Sequence, residues 1–222
     1  MSQSARLLLI VLLAAAAGTA LIGNGRWLIA HAYTRFAEDQ ARWPETRAAA
    51  AKAADYAIAF QPYSAQAYRQ RGLNRLLLRQ HDEALADYQA AISRAPADAF
   101  LWRDYALALL YADRFDERLK HAVSQAQTWG RRSAPIHFSL AVAGLKVFAD
   151  SDPELQQLWL KSIRLAYQVQ PGALMQAAYT ADQEILLCQQ VIPDAGRNVW
   201  CAIARWRHGL CTSASDCIGP SP

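Results

Sequence analysis

Along the middle of this chain, small and apolar residues recur at the three-to-four spacing of amphipathic helices, and the breaks between them carry proline or a side-chain acceptor. Pro62 and Pro96 stand 34 residues apart, and the stretch between them reads as one helix–turn–helix unit. Ser64 precedes its first helix, and Asp82 and Asp98 precede the next two, each able to cap free amides. Further on, a helix beginning near Phe115 ends at Gly130, and Pro135 opens the run IHFSLAVAGLKVF, whose nearly continuous apolar face must be buried. Asp152 followed by Pro153 predicts a helix from 153 to about 169. After Pro171-Gly172 the pattern predicts two shorter helices, over about 173–190 and 195–209, and then an extended tail over 213–222. No alternating Val/Ile/Thr run appears, so the expectation is an all-α chain.

The 34-residue unit has an internal signature. From Ala65 the chain gives Tyr68, Gly72, Ala84, Tyr88, Ala91 and Pro96 in order, and this pattern over 65–98 resembles the tetratricopeptide repeat. Two antiparallel helices close tightly only where Gly and Ala leave room for a bulky neighbour. Arg71 and Arg75 depart from the pattern. Upstream, Ala50, Ala57 and Pro62 repeat the second half of such a unit, whose first helix is expected from near His31 to before Pro44. Downstream, Trp102 and Ala106 fall at the aromatic and glycine positions, while Arg118 stands where Ala84 stood. After residue 130 the repeat pattern is lost. The resemblance implies stacked helical hairpins, an α-solenoid that works by binding proteins or peptides.

It also implies which positions line the concave face. In the clear unit these are Gln66, Arg69, Leu73 and Leu76; one repeat later they are Phe100, Arg103, Leu107 and Leu110. Arg69 and Arg103 are 34 residues apart, so stacking is expected to set their guanidinium groups side by side, as a fork for a carboxylate or an acidic sugar. The bland reading is two solvated surface charges. The aromatic set Trp102, Tyr105 and Tyr111 is a second candidate, for contact with sugar rings.

The N-terminus changes the expected address. Residues 7–23 are uncharged and mostly apolar, and at 1.5 Å per residue they cover roughly 26 Å, just enough for a hydrocarbon core. Residues 1–25 read as a signal anchor whose helix continues through Arg26-Trp27 into a soluble domain over 26–212. A cleaved signal peptide is the alternative, because Ala15–Ala17 and Gly18–Ala20 offer small residues at cleavage spacing. All four cysteines, Cys188, Cys201, Cys211 and Cys217, lie in the last stretch. In a chain with an export signal this favours disulfides, the most local pairs being Cys188 with Cys201 and Cys211 with Cys217. Free thiols, or a metal site made from Cys201, His208, Cys211 and Cys217, are the rivals.

Charge and motifs narrow the function. The net charge of +4 is dispersed and Arg131-Arg132 is the longest basic run, which argues against a nucleic-acid partner. No dinucleotide loop, phosphate loop, nucleophile elbow or H-E-x-x-H occurs, so no cofactor, metal or catalytic residue is assigned. No two of the five histidines share a helix face. His81 is expected in an exposed turn and His137 in the core.

The whole arrangement is similar to a narrower group. One N-terminal apolar segment, a tetratricopeptide unit, Trp102 followed by Arg114-Phe115-Asp116, then Pro135, Gly144-Leu145 and a late Cys188 resembles the VpsP-like proteins of bacterial exopolysaccharide gene clusters. The resemblance implies a single-pass inner-membrane protein with its soluble part in the periplasm. It would be a non-enzymatic scaffold or accessory for exopolysaccharide synthesis or export, with envelope proteins and an anionic polysaccharide as partners. A polysaccharide-binding or modifying protein, or an assembly factor for another envelope complex, are the alternatives.

Overall fold

The computed structural model describes residues 3–213 and 216–218, without the side chains of residues up to 11 and of 13–17. Among the described residues there is no strand: eleven α-helices and one 3₁₀ turn pack as consecutive pairs. The chain divides into two compact units, Met1–Ala97 and Asp98–Pro222, where the sequence suggested one domain after the anchor.

The first unit holds α1 (Gln3–Gln40), a 3₁₀ turn (Pro44–Thr46), α2 (Arg47–Phe60), α3 (Ala65–Leu77) and α4 (His81–Arg94). Each helix packs on the next. The helix expected to start near His31 instead begins at Gln3 and runs unbroken through Arg26 and Trp27. Arg26 Nε donates to Phe60 O at 3.2 Å, which ties α1 to the end of α2. Ala37 meets Ala53 and Ala54 under the Tyr33 ring, so the contact is made of small residues that let the backbones come close. The expected anchor, residues 7–23, falls largely on side chains outside the described residues; among the described residues no helix is long and apolar enough to cross a membrane.

The pairing of α3 with α4 turns on Gly72. A Cβ there would lie 3.2 Å from Ala84 O and 3.3 Å from both Asp87 Cβ and Tyr88 Cδ2, so the small residues read from the repeat meet in space. Arg71 and Arg75, which depart from the repeat, have their own reason. Asp87 is buried, and its carboxylate accepts from Arg71 Nε and Nη2 at 2.9 and 2.6 Å and from Arg75 Nη1 at 2.8 Å. Arg71 Nη1 reaches Asp55 on α2 at 2.8 Å. Burial works against the Arg71 charge, but the bonds to Asp87 and Asp55 outweigh it and raise its pKa. Ser64 accepts from Ala67 N at 3.2 Å, as a cap should. Asp82 does not cap: α4 starts two residues earlier than a cap at Asp82 would require, with Gln80 at the cap position, and Asp82 instead meets the helix dipole from the first turn.

The second unit holds α5 (Ala99–Tyr111), α6 (Glu117–Trp129), α7 (Ala134–Val147), α8 (Pro153–Val169), α9 (Pro171–Thr180), α10 (Glu184–Gln190) and α11 (Val199–Arg207). Asp98, Asp116 and Asp152 each accept from a backbone amide at the head of a helix, at 2.8 to 3.0 Å. Helices α5 and α6 form one hairpin and α7 and α8 another. The hairpin architecture therefore continues past residue 130, beyond the point where the sequence loses the repeat pattern. The start of α5 follows that of α3 by 34 residues, and α7 follows α5 by 35. Arg79 and Asp113, also 34 apart, take positive φ of 61° and 52° in the turns of successive hairpins. The single helix expected over 173–190 is two, broken at Asp182 with φ 56°. No glycine or proline marks that break, which is why the sequence hides it.

Candidate functional site

The features with chemical character lie mostly in the second unit. Helix α5 buries Leu101, Tyr105 and Leu109, which leaves Leu107 and Leu110 on its flank. Helix α7 buries Ile136, Leu140 and Leu145 and leaves Phe138 and Val142 half-buried. The two helices run side by side, and these four side chains with Ala143 wall a cleft of about 440 Å³. That volume lies within the range of ligand clefts, roughly 300–1,000 Å³. Lys146 contributes the one formal charge in its lining, and Tyr111, 69% exposed, stands at the same end. The cleft is suited to an apolar segment of another molecule; Ser139, which also lines it, donates its hydroxyl back to Pro135 O at 2.8 Å.

The residues expected on a concave face are divided between the two units. Leu107 and Leu110 join this cleft. Gln66 donates to Glu38 Oε1 at 2.8 Å, and Arg69 donates to Gln66 Oε1 at 3.5 Å. Leu73 is exposed. Phe100 lies beneath the Arg103 guanidinium, 5.0 Å from the ring centre, and Arg103 Nε donates to Asp104 Oδ1 at 2.8 Å. Arg69 and Arg103 belong to different units, and each has partners on its own helix. Asp104, the next residue along, already meets the Arg103 charge, a neighbour that a 34-residue spacing does not reveal. Of the aromatic set, Tyr105 is buried and closed to a sugar ring, and Trp102 sets its ring against His121 at 5.2 Å. Phe138, Val142 and Lys146 were missed for want of a repeat signature. The available signal is an offset of 35, which carries Arg103 and Leu107 onto Phe138 and Val142.

The histidines and cysteines have structural employment. His137 is buried, with Nε2 3.1 Å from Arg131 O and Nδ1 3.4 Å from Ser162 Oγ; burial lowers its pKa. His81 opens α4 half-buried and is not in a turn. Cys188 is joined to Cys201 and Cys211 to Cys217, which removes all four sulfurs from metal ligation. Asp182, Glu184 and His208 bring ligand-type atoms within 4.8 Å of one another. Arg207 already occupies that position: it donates to the buried Glu184, lies 3.3 Å from Asp182 and stacks on Tyr179 at 4.2 Å. The group acts as a charge lock between α10 and α11, with a guanidinium where a cation would stand. Compared with known proteins, the chain matches no family model and no curated protein.

Proposed function

We propose that this chain is a non-enzymatic, tetratricopeptide-like scaffold that captures an apolar segment of a partner protein in the cleft between α5 and α7. The observation that carries this reading is the alignment of Leu107 and Leu110 with Phe138 and Val142 on the first helices of two successive hairpins. An amphipathic helix presents side chains at the matching three-to-four spacing. The apolar run over 7–23 holds the chain at a bacterial inner membrane with its helical units in the periplasm, an oxidising compartment suited to two disulfides. The partners are components of an exopolysaccharide synthesis or export machine, and the chain's work is to assemble or position them.

The test is the double change Leu107→Asp, Val142→Asp, which puts two charges into the cleft without touching the buried faces of α5 or α7. At wild-type abundance it should abolish crosslinking to the partner and lower polymer output. Normal output with intact crosslinks would overturn the cleft as the working surface. A reporter fused after residue 222 checks the address: activity only in a cytoplasmic reporter would remove the periplasmic assignment.

A further inference from the structure

On its outer side α8 carries Gln157, Lys161, Arg164 and Gln168, all exposed, at the i, i+4, i+7, i+11 spacing that makes one straight stripe. The stripe is rich in donors and holds two cations and no acid. Other cations of this unit are met by carboxylates, Arg103 by Asp104, Arg118 by Asp116, and Lys120 by Glu117, Asp152 and Glu154, while Arg205 is held by backbone carbonyls. Lys161 and Arg164 make no ion pair among the described residues; Arg164 Nε gives a long bond of 3.4 Å to Gln190 O.

At its C-terminal end the stripe opens into a groove of about 420 Å³, lined by Arg164, Tyr167, Gln168, Pro171, Val191 and Pro193. No carboxylate lines it. Its walls are of two kinds. Tyr167, the prolines and Val191 offer flat apolar surface, and Arg164 and Gln168 offer planar hydrogen-bonding groups beside it. A pyranose ring has the same division, with C–H faces above and below and a rim of hydroxyls. A sugar carboxylate fits the fork of a guanidinium, which grips it with two parallel bonds. From Lys161 to Arg164 the helix rises about 4.5 Å, so the two cations lie along the direction in which an extended polymer would run. We propose that the α8 groove binds an acidic glycan, with Arg164 holding a sugar carboxylate, Tyr167 and the prolines facing the ring, and Lys161 meeting the next acidic residue. This site is separate from the α5–α7 cleft and does not depend on protein capture there.

The test uses the full chain in detergent micelles and a short fluorescent oligogalacturonate. A neutral maltooligosaccharide and a single-stranded oligonucleotide of similar length are the competitors. The uronate should bind at least about tenfold more tightly than the neutral glycan, since a charge-assisted bond is worth about that factor or more. Arg164→Gln should remove that advantage with the thermal melt unchanged, and Lys161→Gln should remove part of it. The Leu107→Asp, Val142→Asp variant should bind the uronate like wild type, which separates this site from the scaffold cleft. No uronate binding, equal binding of the neutral glycan, or an inert Arg164→Gln would each overturn the proposal. Equal displacement by the oligonucleotide would also overturn it, because the surface would then hold polyanions of any kind.

Discussion

Gly144 and Trp159 touch where α7 crosses α8: a Cβ built on Gly144 would stand 2.7 Å from Trp159 Cγ and 2.8 Å from its Cβ and Cδ2. The indole has nowhere to retreat, being fully buried with its Nε1 donating to Ser151 Oγ at 3.0 Å. Alanine favours a helix over glycine by about 1 kcal/mol, but overpacking a core costs roughly 1–3 kcal/mol. Since the clash is with a pinned ring, the steric term wins. Gly144→Ala should lower stability by about 1–2 kcal/mol in chemical denaturation, and Gly144→Leu by more. An alanine variant as stable as wild type would show that α7 and α8 have room to separate.

Asp87 carries a buried charge shared by Arg71 and Arg75. Asn at this position keeps the shape and removes the charge, leaving both guanidinium groups with only Asp55 within reach of one of them. Breaking a buried pair from one side costs about 3–5 kcal/mol. The arginines here are partly exposed, so water recovers some of that loss. Asp87→Asn should cost about 2–3 kcal/mol, and Arg71→Met with Asp87→Leu much less than Asp87→Asn alone. Equal losses in the two variants would mean that packing around Asp87, and not its charge, holds α3 to α4.

Much of this fold is written in local chemistry that a sequence displays. Gly72, Ala84 and Tyr88 announce a tight helix pair, and Asp152-Pro153 fixes a helix start to the residue. Other features depend on partners far along the chain. Asp87 gives Arg71 and Arg75 their purpose from 16 and 12 residues away, a spacing that no helix periodicity reveals. The break at Asp182 depends on an aspartate adopting a left-handed conformation, which glycine would have signalled and aspartate does not. The cleft was half legible: Leu107 and Leu110 follow from the repeat, while Phe138 and Val142 sit on a hairpin that keeps the architecture after losing the signature. The Arg69–Arg103 fork rests on period alone, and period says nothing about Asp104 beside Arg103.

Cys188 on α10 and Cys201 on α11 close a loop of sequence separation 13. In the chain-entropy account a loop of that size is worth about 3 kcal/mol. Helix α11 is short and turns only Cys201, Ala202 and Ala204 inward, so little apolar burial replaces the bridge. The double change Cys188→Ala, Cys201→Ala should speed hydrogen exchange throughout α11, while α7 and α8 keep wild-type protection. Loss of protection across the whole second unit would show instead that the C-terminal helices are needed to fold the hairpins. Non-reducing mass analysis of protein taken directly from cells should find the bridge formed; four free thiols would count against an exported domain.

His137 ties stability to pH through its burial. Burial lowers its pKa below the ordinary 6.5, because the charged ring would lose water and gain in return only the backbone carbonyls of Arg131 and Gly130. The groups bearing on it include Lys161, whose charge also disfavours protonation. In the unfolded chain His137 titrates near 6.5, so below that value the unfolded state binds a proton that the folded state refuses. Stability therefore falls as pH drops through 6.5, and the loss stops growing once pH passes the lowered folded value. Chemical denaturation at pH 7.5 and 5.5 should show this difference in wild type. His137→Gln, which retains a donor for Arg131 O, should reduce the difference while costing some stability at both pH values. An unchanged pH dependence in that variant would place the sensitivity on another group.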